Sequence, residues 1–287
     1  MSMPNVYDIR YNVPTQPRQI RLDTVGNKCN ASCLSCHRFL SNRQGEMSQD
    51  LITQILQDVS KWPEPLTEII PVNYGEFFMR KDWAWILMQI AYYLPYTQIV
   101  LPTNGSFMDD KLVANLAKVP TLKIINFSVN AYFDDTYEQF MKLPAETIPK
   151  IRKAIAQLRI LRSDITLWVS MVFDPEYQTD YERDAFIKYW TGWAYPQILP
   201  AASAGRPNKK PLNLVELPCR SIFSDLVIGY DKKISSCCFD SNFSLDLGWY
   251  KNNVFGAWHS PELTELRRVH NEHKRDKIDL CKQCTFA

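Results

Sequence analysis

The cysteines of this 287-residue sequence carry its clearest chemical signal, because they lie in two groups near the ends of the chain. No cysteine lies between positions 36 and 219. A disulfide-stapled secreted module spaces its bridges along a short chain, so this distribution indicates metal binding instead. The cysteines are Cys29, Cys33, Cys36, Cys219, Cys237, Cys238, Cys281 and Cys284.

The first group has the spacing C-x3-C-x2-C, from Cys29 to Cys36. Three thiolates in one short loop can hold three irons of a cubane cluster and leave the fourth iron open. Zinc would need a fourth protein ligand, for which His37 is the nearby residue of suitable type. The spacing favours an iron–sulfur cluster over zinc without excluding zinc.

The second group consists of Cys219, the adjacent pair Cys237 and Cys238, and a C-x2-C pair formed by Cys281 and Cys284. Four of these five thiols could surround a structural zinc or ligate every iron of a cubane. Their spacing alone does not decide between the two metals.

Composition and charge exclude several classes of protein. The 46% hydrophobic and 13% aromatic residues exclude a disordered chain, and 33 basic against 31 acidic residues give no general surface for nucleic acid. The first twenty residues lack the apolar core of a signal peptide, and the apolar run 83–94 is too short to span a bilayer. We therefore expect a cytoplasmic protein with no membrane or nucleic-acid partner.

Strand-like and helix-like segments alternate between the two cysteine groups, which predicts a parallel sheet with crossover helices. Ser48 has the position of an N-cap, and Ile151, Ile155 and Leu158 have the spacing of a helix that buries one face. The predicted strands cover 19–23, 67–72, 97–101, 122–127, 165–173 and 197–199, and the predicted helices cover 49–59, 83–93, 109–117, 148–161 and 181–189.

The residues after this alternation predict a second, smaller unit. A stretch rich in Pro, Lys and Ser follows the sixth strand, and after it come a hairpin over 226–237 and a helix over 261–269. We divide the chain into an N-terminal extension (1–17), a barrel (18–200), a linker (201–215) and a metal-binding unit (216–287). His259, His270 and His273 are expected to face solvent.

Taken in order along the chain, these features resemble the radical S-adenosylmethionine (SAM) enzymes. The cysteine triplet follows the first strand, and Tyr74-Gly75-Glu76 at the end of the second strand resembles the family's motif for the methionyl amino group. Segments 103–105 and 128–130, after the third and fourth strands, match positions that approach SAM in the family. The resemblance implies Cys29, Cys33 and Cys36 as cluster ligands and Gly75, Glu76, Asn104, Ser128 and Asn130 as SAM-binding residues.

The C-terminal unit resembles the twitch domain, a short form of the SPASM domain that binds an auxiliary [4Fe-4S] cluster. The implied ligands are Cys219, Cys237, Cys281 and Cys284. Cys237 fits better than Cys238 because Ile234 lies three residues before it, although Lys232 stands where a turn glycine is common. Cys238 is then the one cysteine not assigned as a ligand. It could donate a hydrogen atom to a substrate radical or, more simply, be a small buried side chain.

The resemblance implies an α/β fold, a partial (β/α)6 TIM barrel with a small C-terminal twitch domain (β-hairpin plus helix), binding two [4Fe-4S] clusters and SAM. It implies reductive cleavage of SAM, with flavodoxin or ferredoxin as electron donor, and oxidation or epimerisation of a small polar substrate such as a sugar, aminocyclitol or nucleoside. About twenty-eight residues precede Cys29, too few for the leader-binding domain typical of peptide-modifying relatives. The alternatives are a ribosomal-peptide maturase (epimerase or crosslinking) and a non-catalytic metal-binding protein.

Overall fold

The computed structural model describes residues 11–204, 217–282 and 284–285, and within them the strands form one sheet. The strands are β1 (Gln19–Leu22), β2 (Glu68–Ile70), β3 (Gln98–Thr103), β4 (Leu122–Ser128), β5 (Thr166–Phe173), β6 (Tyr195–Pro200), β7 (Asp225–Ile228) and β8 (Ile234–Ser235). The helices are α1 (Gln49–Val59), α2 (Trp83–Tyr93), α3 (Asp110–Leu116), α4 (Asp134–Met141), α5 (Thr147–Leu161), α6 (Asp180–Thr191), α7 (Val254–Trp258) and α8 (Pro261–Asn271).

The strand order confirms the predicted partial (β/α)6 barrel. Strands β1 to β6 are parallel neighbours in chain order, with at least one helix in each connection. The hairpin of β7 and β8 extends the same sheet, because β7 pairs in parallel with β1 and β8 pairs antiparallel with β7. The division at residues 201–215 stays a prediction, since 205–216 lie outside the described residues.

Alternation along the strands gives the sheet two different faces. Aliphatic side chains on one face are fully buried, including Ile20, Ile69 and Ile125, and the helices cover this face. The register puts Arg21 next to Ile70, and Asn126 next to Trp168, on the opposite face, which lines the barrel interior. The interior row also contains Gln19, Glu68, Ser128, Ser170, Gln197 and Asp225, so polar side chains alternate with apolar ones in the interior.

Local sequence signals explain where the helices begin. The side chains of Ser48, Asp109, Thr179 and Ser260 each accept a hydrogen bond from a backbone N–H in the first turn of the following helix. Two helices, α4 and α7, lie in segments for which no helix was predicted. Helix α4 matters for the site, because its C-terminal end contacts the loop that carries the first cysteine group.

Candidate functional site

The first cysteine group lies in the loop after β1, at the carboxyl edge of the sheet. The backbone N–H groups of Ser32 and Leu34 donate to the carbonyls of Met141 (3.2 Å) and Phe140 (3.0 Å), so the end of α4 holds this loop. Burial raises the pKa of the Cys33 thiol to about 12. A thiol with such a pKa stays protonated until iron displaces its proton.

The three thiols of this group lie close enough to act on one another. The neighbouring Cys36 and Cys29 also raise the pKa of Cys33, and the Cys29 sulfur accepts a hydrogen bond from the Ala31 N–H at 3.4 Å. All three side chains are partly exposed. His37, the residue considered as a fourth zinc ligand, packs its ring against Phe239 at 4.9 Å between centroids.

Glu76 lies beside this loop and is almost completely buried, with 2% of its surface exposed. Its Oε1 accepts from the Thr103 hydroxyl at 2.8 Å, and its Oε2 accepts from the Asn104 N–H at 2.8 Å. Burial raises the pKa of this carboxyl to about 6, against the lowering effect of these donors. Because each carboxylate oxygen has two acceptor positions, Oε2 keeps one for a further donor.

Gly75 joins Glu76 to the cysteine loop through a conformation that suits glycine. Its φ is +83°, and a Cβ added there would lie 2.4 Å from the Lys28 carbonyl oxygen. The same carbonyl accepts from the Glu76 N–H at 2.9 Å. The backbone of the Gly-Glu pair is therefore packed directly against the residue before Cys29.

Asn104 connects the turn after β3 to the cysteine loop through a residue that sequence reasoning did not single out. Its amide Nδ2 donates to Oδ1 of Asn30 at 2.9 Å, and Asn30 donates to the Ser106 hydroxyl at 2.9 Å. Asn30 lies between the first two cysteines of the triplet. Its position next to Cys29 was the only sequence signal that could have drawn attention to it.

Ser128 and Asn130 follow β4 and differ in how they are used. Ser128 lies on the inner face of the sheet, opposite Ser170 of β5. Asn130 has a φ of +62° and is buried; its Oδ1 accepts from the Val172 N–H at 2.7 Å and its Nδ2 contacts the Met141 sulfur at 3.0 Å. The Asn130 amide thus connects the loop after β4 to β5 and to the end of α4. A role for Ser128 or Asn130 in binding SAM stays a prediction.

Four cysteines of the second group come together beside the hairpin. Cys281 and Cys284 are buried in a small apolar cluster, against which Cys237 packs. Burial raises the pKa of Cys281 to about 12, and Cys219 and Cys284 add to this effect. Burial also raises the pKa of Cys237, and the thiols of Cys238, Cys219 and Cys281 add to this effect.

The two adjacent cysteines of the hairpin have different neighbours. Cys237 packs against the buried cluster that contains Cys281 and Cys284, whereas the barrel residues Arg21 and Asp225 lie close enough to Cys238 to shift its pKa. This difference favours Cys237 as the member of the thiol set. A role for Cys238 as a hydrogen donor stays a prediction.

His270 does not face solvent as expected, because α8 buries it completely. Its Nδ1 accepts from the Cys219 N–H at 3.1 Å, and burial together with Arg275 lowers its pKa to about 4. The buried positions of α8 are Leu263, Leu266, Arg267 and His270, a helical spacing that could have identified this histidine.

The two thiol sets fit iron–sulfur clusters by the chemistry of their donors. In the described part of the chain, no three metal-ligating side chains converge on one point as the ligands of a single ion do. Each thiolate of a [4Fe-4S] cluster ligates a different iron, so its ligands surround a cube and stay apart. Three thiols in the first set and four in the second match an open and a closed cluster respectively.

Tyr74 lies between the two sets. Its hydroxyl donates to the Cys238 carbonyl oxygen at 2.5 Å, and the thiols of Cys238, Cys237 and Cys36 all influence its phenol. Burial raises the pKa of Tyr74 well above its usual value. The residue before the Gly-Glu pair therefore links the SAM-side loop to the hairpin.

A parallel partial barrel with a thiol triplet at the carboxyl edge of β1, and a second thiol set beside it, defines an iron–sulfur enzyme of the barrel class. The family model described as the radical SAM superfamily matches residues 24–185, more than half of the chain. The chain belongs to this superfamily. The model of an iron–sulfur cluster-binding domain, SPASM, matches residues 219–285. The cofactors are accordingly SAM and two [4Fe-4S] clusters, which confirms the prediction and removes the zinc alternative.

Known proteins of similar sequence and structure include both small-molecule and peptide enzymes. The S-adenosyl-L-methionine-dependent 2-deoxy-scyllo-inosamine dehydrogenase of Niallia circulans is 23% identical over 91% of this chain and 90% of its own length. The crystal structure of BtrN in complex with AdoMet and 2-DOIA has a TM-score of 0.69 and 19% identity, and covers 96% of this chain and 94% of that chain. Streptococcus suis SuiB bound to precursor peptide SuiA has a TM-score of 0.70 and 13% identity, covering 96% of this chain and 71% of that chain.

None of the helices in the described ranges is long and apolar enough to cross a membrane.

Proposed function

We propose that this radical SAM enzyme oxidises a small hydroxylated substrate, such as an aminocyclitol, sugar or nucleoside, by two electrons. The observation that carries the proposal is the set of polar side chains on the inner face of the barrel, Asn126 among them. Within the described residues, Oδ1 of Asn126 and both amide atoms of Asn73 are buried without a hydrogen-bond partner. Buried amides of this kind need a polar partner, which a hydroxylated substrate supplies.

The residues on the SAM side bind and orient the cofactors. Cys29, Cys33 and Cys36 hold the first cluster, and Glu76 offers its free Oε2 position to the ammonium group of SAM. Asn104 holds Asn30 in the cysteine loop by the 2.9 Å hydrogen bond. When bound, SAM and this cluster supply a 5′-deoxyadenosyl radical, which removes a hydrogen atom from a substrate C–H bond.

The second thiol set decides the outcome of the reaction. Cys219, Cys237, Cys281 and Cys284 would ligate all four irons and leave none open to substrate, so the auxiliary cluster would supply an electron acceptor. The substrate would lose one hydrogen atom to the deoxyadenosyl group, one electron to the auxiliary cluster, and the hydroxyl proton to solvent in the barrel. The balance is a C–OH group converted to C=O. The name of the Niallia circulans relative, a dehydrogenase, supports this assignment.

The second candidate function is modification of a ribosomal peptide. It is supported by the structural similarity to SuiB, whose structure contains a precursor peptide. Epimerisation of either substrate class would need a hydrogen donor on the far side of the radical, and Cys238 beside Arg21 is the thiol available for it.

The test uses anaerobically reconstituted enzyme with SAM, a reductant and 2-deoxy-scyllo-inosamine, followed by a panel of sugars and nucleosides. Dehydrogenation predicts one 5′-deoxyadenosine per product and a product lighter by two hydrogens. A product of unchanged composition that carries a solvent deuteron in deuterated water would instead support epimerisation.

Two variants provide matched controls for this test. Cys281→Ala should remove the auxiliary cluster and abolish oxidation while SAM cleavage continues, and Cys238→Ala should still oxidise. Turnover of a peptide with no turnover of any polyol would contradict the proposed substrate class.

A further inference from the structure

Arg275 begins the short 3-10 helix Arg275–Lys277 and is buried, with 5% of its surface exposed. Its Nη1 donates to the Leu217 carbonyl at 3.1 Å, and its Nη2 donates to the Cys284 carbonyl at 3.3 Å. Within the described ranges it has no carboxylate partner in an ion pair. Because burying a cation without an anion is costly, a negative charge nearby would stabilise Arg275.

The surroundings of Arg275 identify a source of that charge. Its Nη2 binds the carbonyl of Cys284, and Cys281 is buried in the same small cluster as Cys284. Its Nη1 binds the carbonyl of Leu217, two residues before Cys219. The guanidinium therefore lies beside the segments that carry three of the four predicted ligands of the auxiliary cluster.

A buried carboxylate of the hairpin loop, Asp240, is engaged elsewhere. Its oxygens accept from the Ser235 hydroxyl at 2.8 Å and the Ser244 N–H at 2.6 Å. Asp240 thus shapes the hairpin loop and does not neutralise Arg275.

The other two buried arginines of the described ranges have different surroundings. Arg80 donates to both carboxylate oxygens of Asp82 at 2.8 Å. Arg267 binds two backbone carbonyls, as Arg275 does, but lies 3.8 Å over the Trp258 ring. Arg267 is consequently a matched control: a buried guanidinium, held by carbonyls, whose charge faces an aromatic ring.

We infer that Arg275 is the fixed counter-charge of the auxiliary cluster and raises its reduction potential, so that the cluster accepts the electron from the substrate. This inference rests on the proposed function, in which that cluster is the acceptor. A cubane with four thiolate ligands is anionic and becomes more negative on reduction, so a buried cation beside it stabilises the reduced form. Arg275 therefore acts on the reaction through the cluster, by holding a positive charge beside it.

The test is an anaerobic redox titration of the holoenzyme followed by electron paramagnetic resonance, with SAM added to distinguish the signal of the first cluster. Arg275→Gln should lower the equilibrium constant for reduction of the auxiliary cluster about tenfold, which is 59 mV for a one-electron couple. Arg275→Lys keeps the charge and should stay within about threefold of the parent enzyme. Arg267→Gln should leave the potential unchanged.

The other outcomes also decide for or against the role of Arg275. An unchanged potential in Arg275→Gln, or equal losses in the Gln and Lys variants, would overturn the inference. If Arg275→Gln loses the auxiliary iron and Arg275→Lys keeps it, the cluster needs the positive charge and the inference is supported. Loss of the iron in both variants would overturn the inference. A shifted potential in an enzyme that makes no oxidised product would refute the proposed function alone, and an unshifted potential with normal oxidation would refute this inference alone.

Discussion

Replacing Gly75 by alanine tests whether the Gly-Glu backbone positions the first cluster. The substitution costs about 1 kcal/mol for a positive φ at a residue with a Cβ. In addition, the new Cβ would lie 2.4 Å from the Lys28 carbonyl oxygen, about 1 Å closer than ordinary contact. Because that oxygen is backbone, the loop must move and the Glu76 N–H bond to it must lengthen. We expect a total loss of about 3 kcal/mol.

Two other glycines separate these contributions. Gly248 has a φ of +84° with nothing within 4 Å of an added Cβ, so Gly248→Ala should cost only the conformational 1 kcal/mol or so. Gly192 has a negative φ and its nearest neighbour is 4.0 Å away, so Gly192→Ala should be nearly neutral. The Gly75 variant alone should also weaken SAM binding.

The assay measures thermal midpoints of the three reconstituted variants, and SAM affinity by titration of the first cluster's resonance signal. The expected order of stability is Gly192→Ala, then Gly248→Ala, then Gly75→Ala. Equal midpoints and equal SAM affinities for the Gly75 and Gly248 variants would refute the idea that contact with Lys28 matters.

Three further substitutions have defined outcomes. Lys232 has a φ of +71°, a conformation that glycine adopts more easily than lysine. Lys232→Gly should therefore raise the free energy of unfolding by about 0.5–1 kcal/mol and with it the thermal midpoint; a lower midpoint would contradict this. Tyr74→Phe removes the donor to the Cys238 carbonyl and should increase the 5′-deoxyadenosine formed per product, whereas an unchanged ratio would exclude a linking role. Asp82→Asn should destabilise the iron-free chain by about 1 kcal/mol or less at neutral pH, because Arg80 lowers the pKa of Asp82 from 3.8 to about 2. That stabilisation is complete above pH 3.8 and is lost as the pH falls through about 2. The difference in the free energy of unfolding between Asp82→Asn and the parent, measured in urea, should therefore vanish near pH 2.

The barrel and the thiol sets could be predicted from sequence because their signals are local. Cysteine spacing, the Ser48 cap and the alternation of strands and helices each depend on a few neighbouring residues. Helix α1 begins and ends where its pattern predicts, at Gln49 and Val59. The six-strand order then follows from the preference of parallel strands for short crossovers.

The remaining features depend on contacts between distant parts of the chain. The pairing of β7 with β1 joins segments about 200 residues apart, and no pattern within either segment specifies the other. The sequence did not predict helix α4, because Asp134 and Asp135 in its first turn are residues typical of loops. The helix packs through Phe140, whose burial is visible only in the structure. The burial of Arg275 is likewise a tertiary effect, since its neighbours in sequence are charged.

The central claim is that Cys29, Cys33 and Cys36 hold an incomplete cube whose open iron binds SAM. The direct measurement is the resonance spectrum of the reduced, anaerobically reconstituted chain, recorded before and after SAM is added. We predict about eight irons per chain and a changed signal for one cluster only, the change being lost in Cys33→Ala while the auxiliary signal persists. A spectrum that SAM leaves unaltered, with both clusters present, would contradict the account.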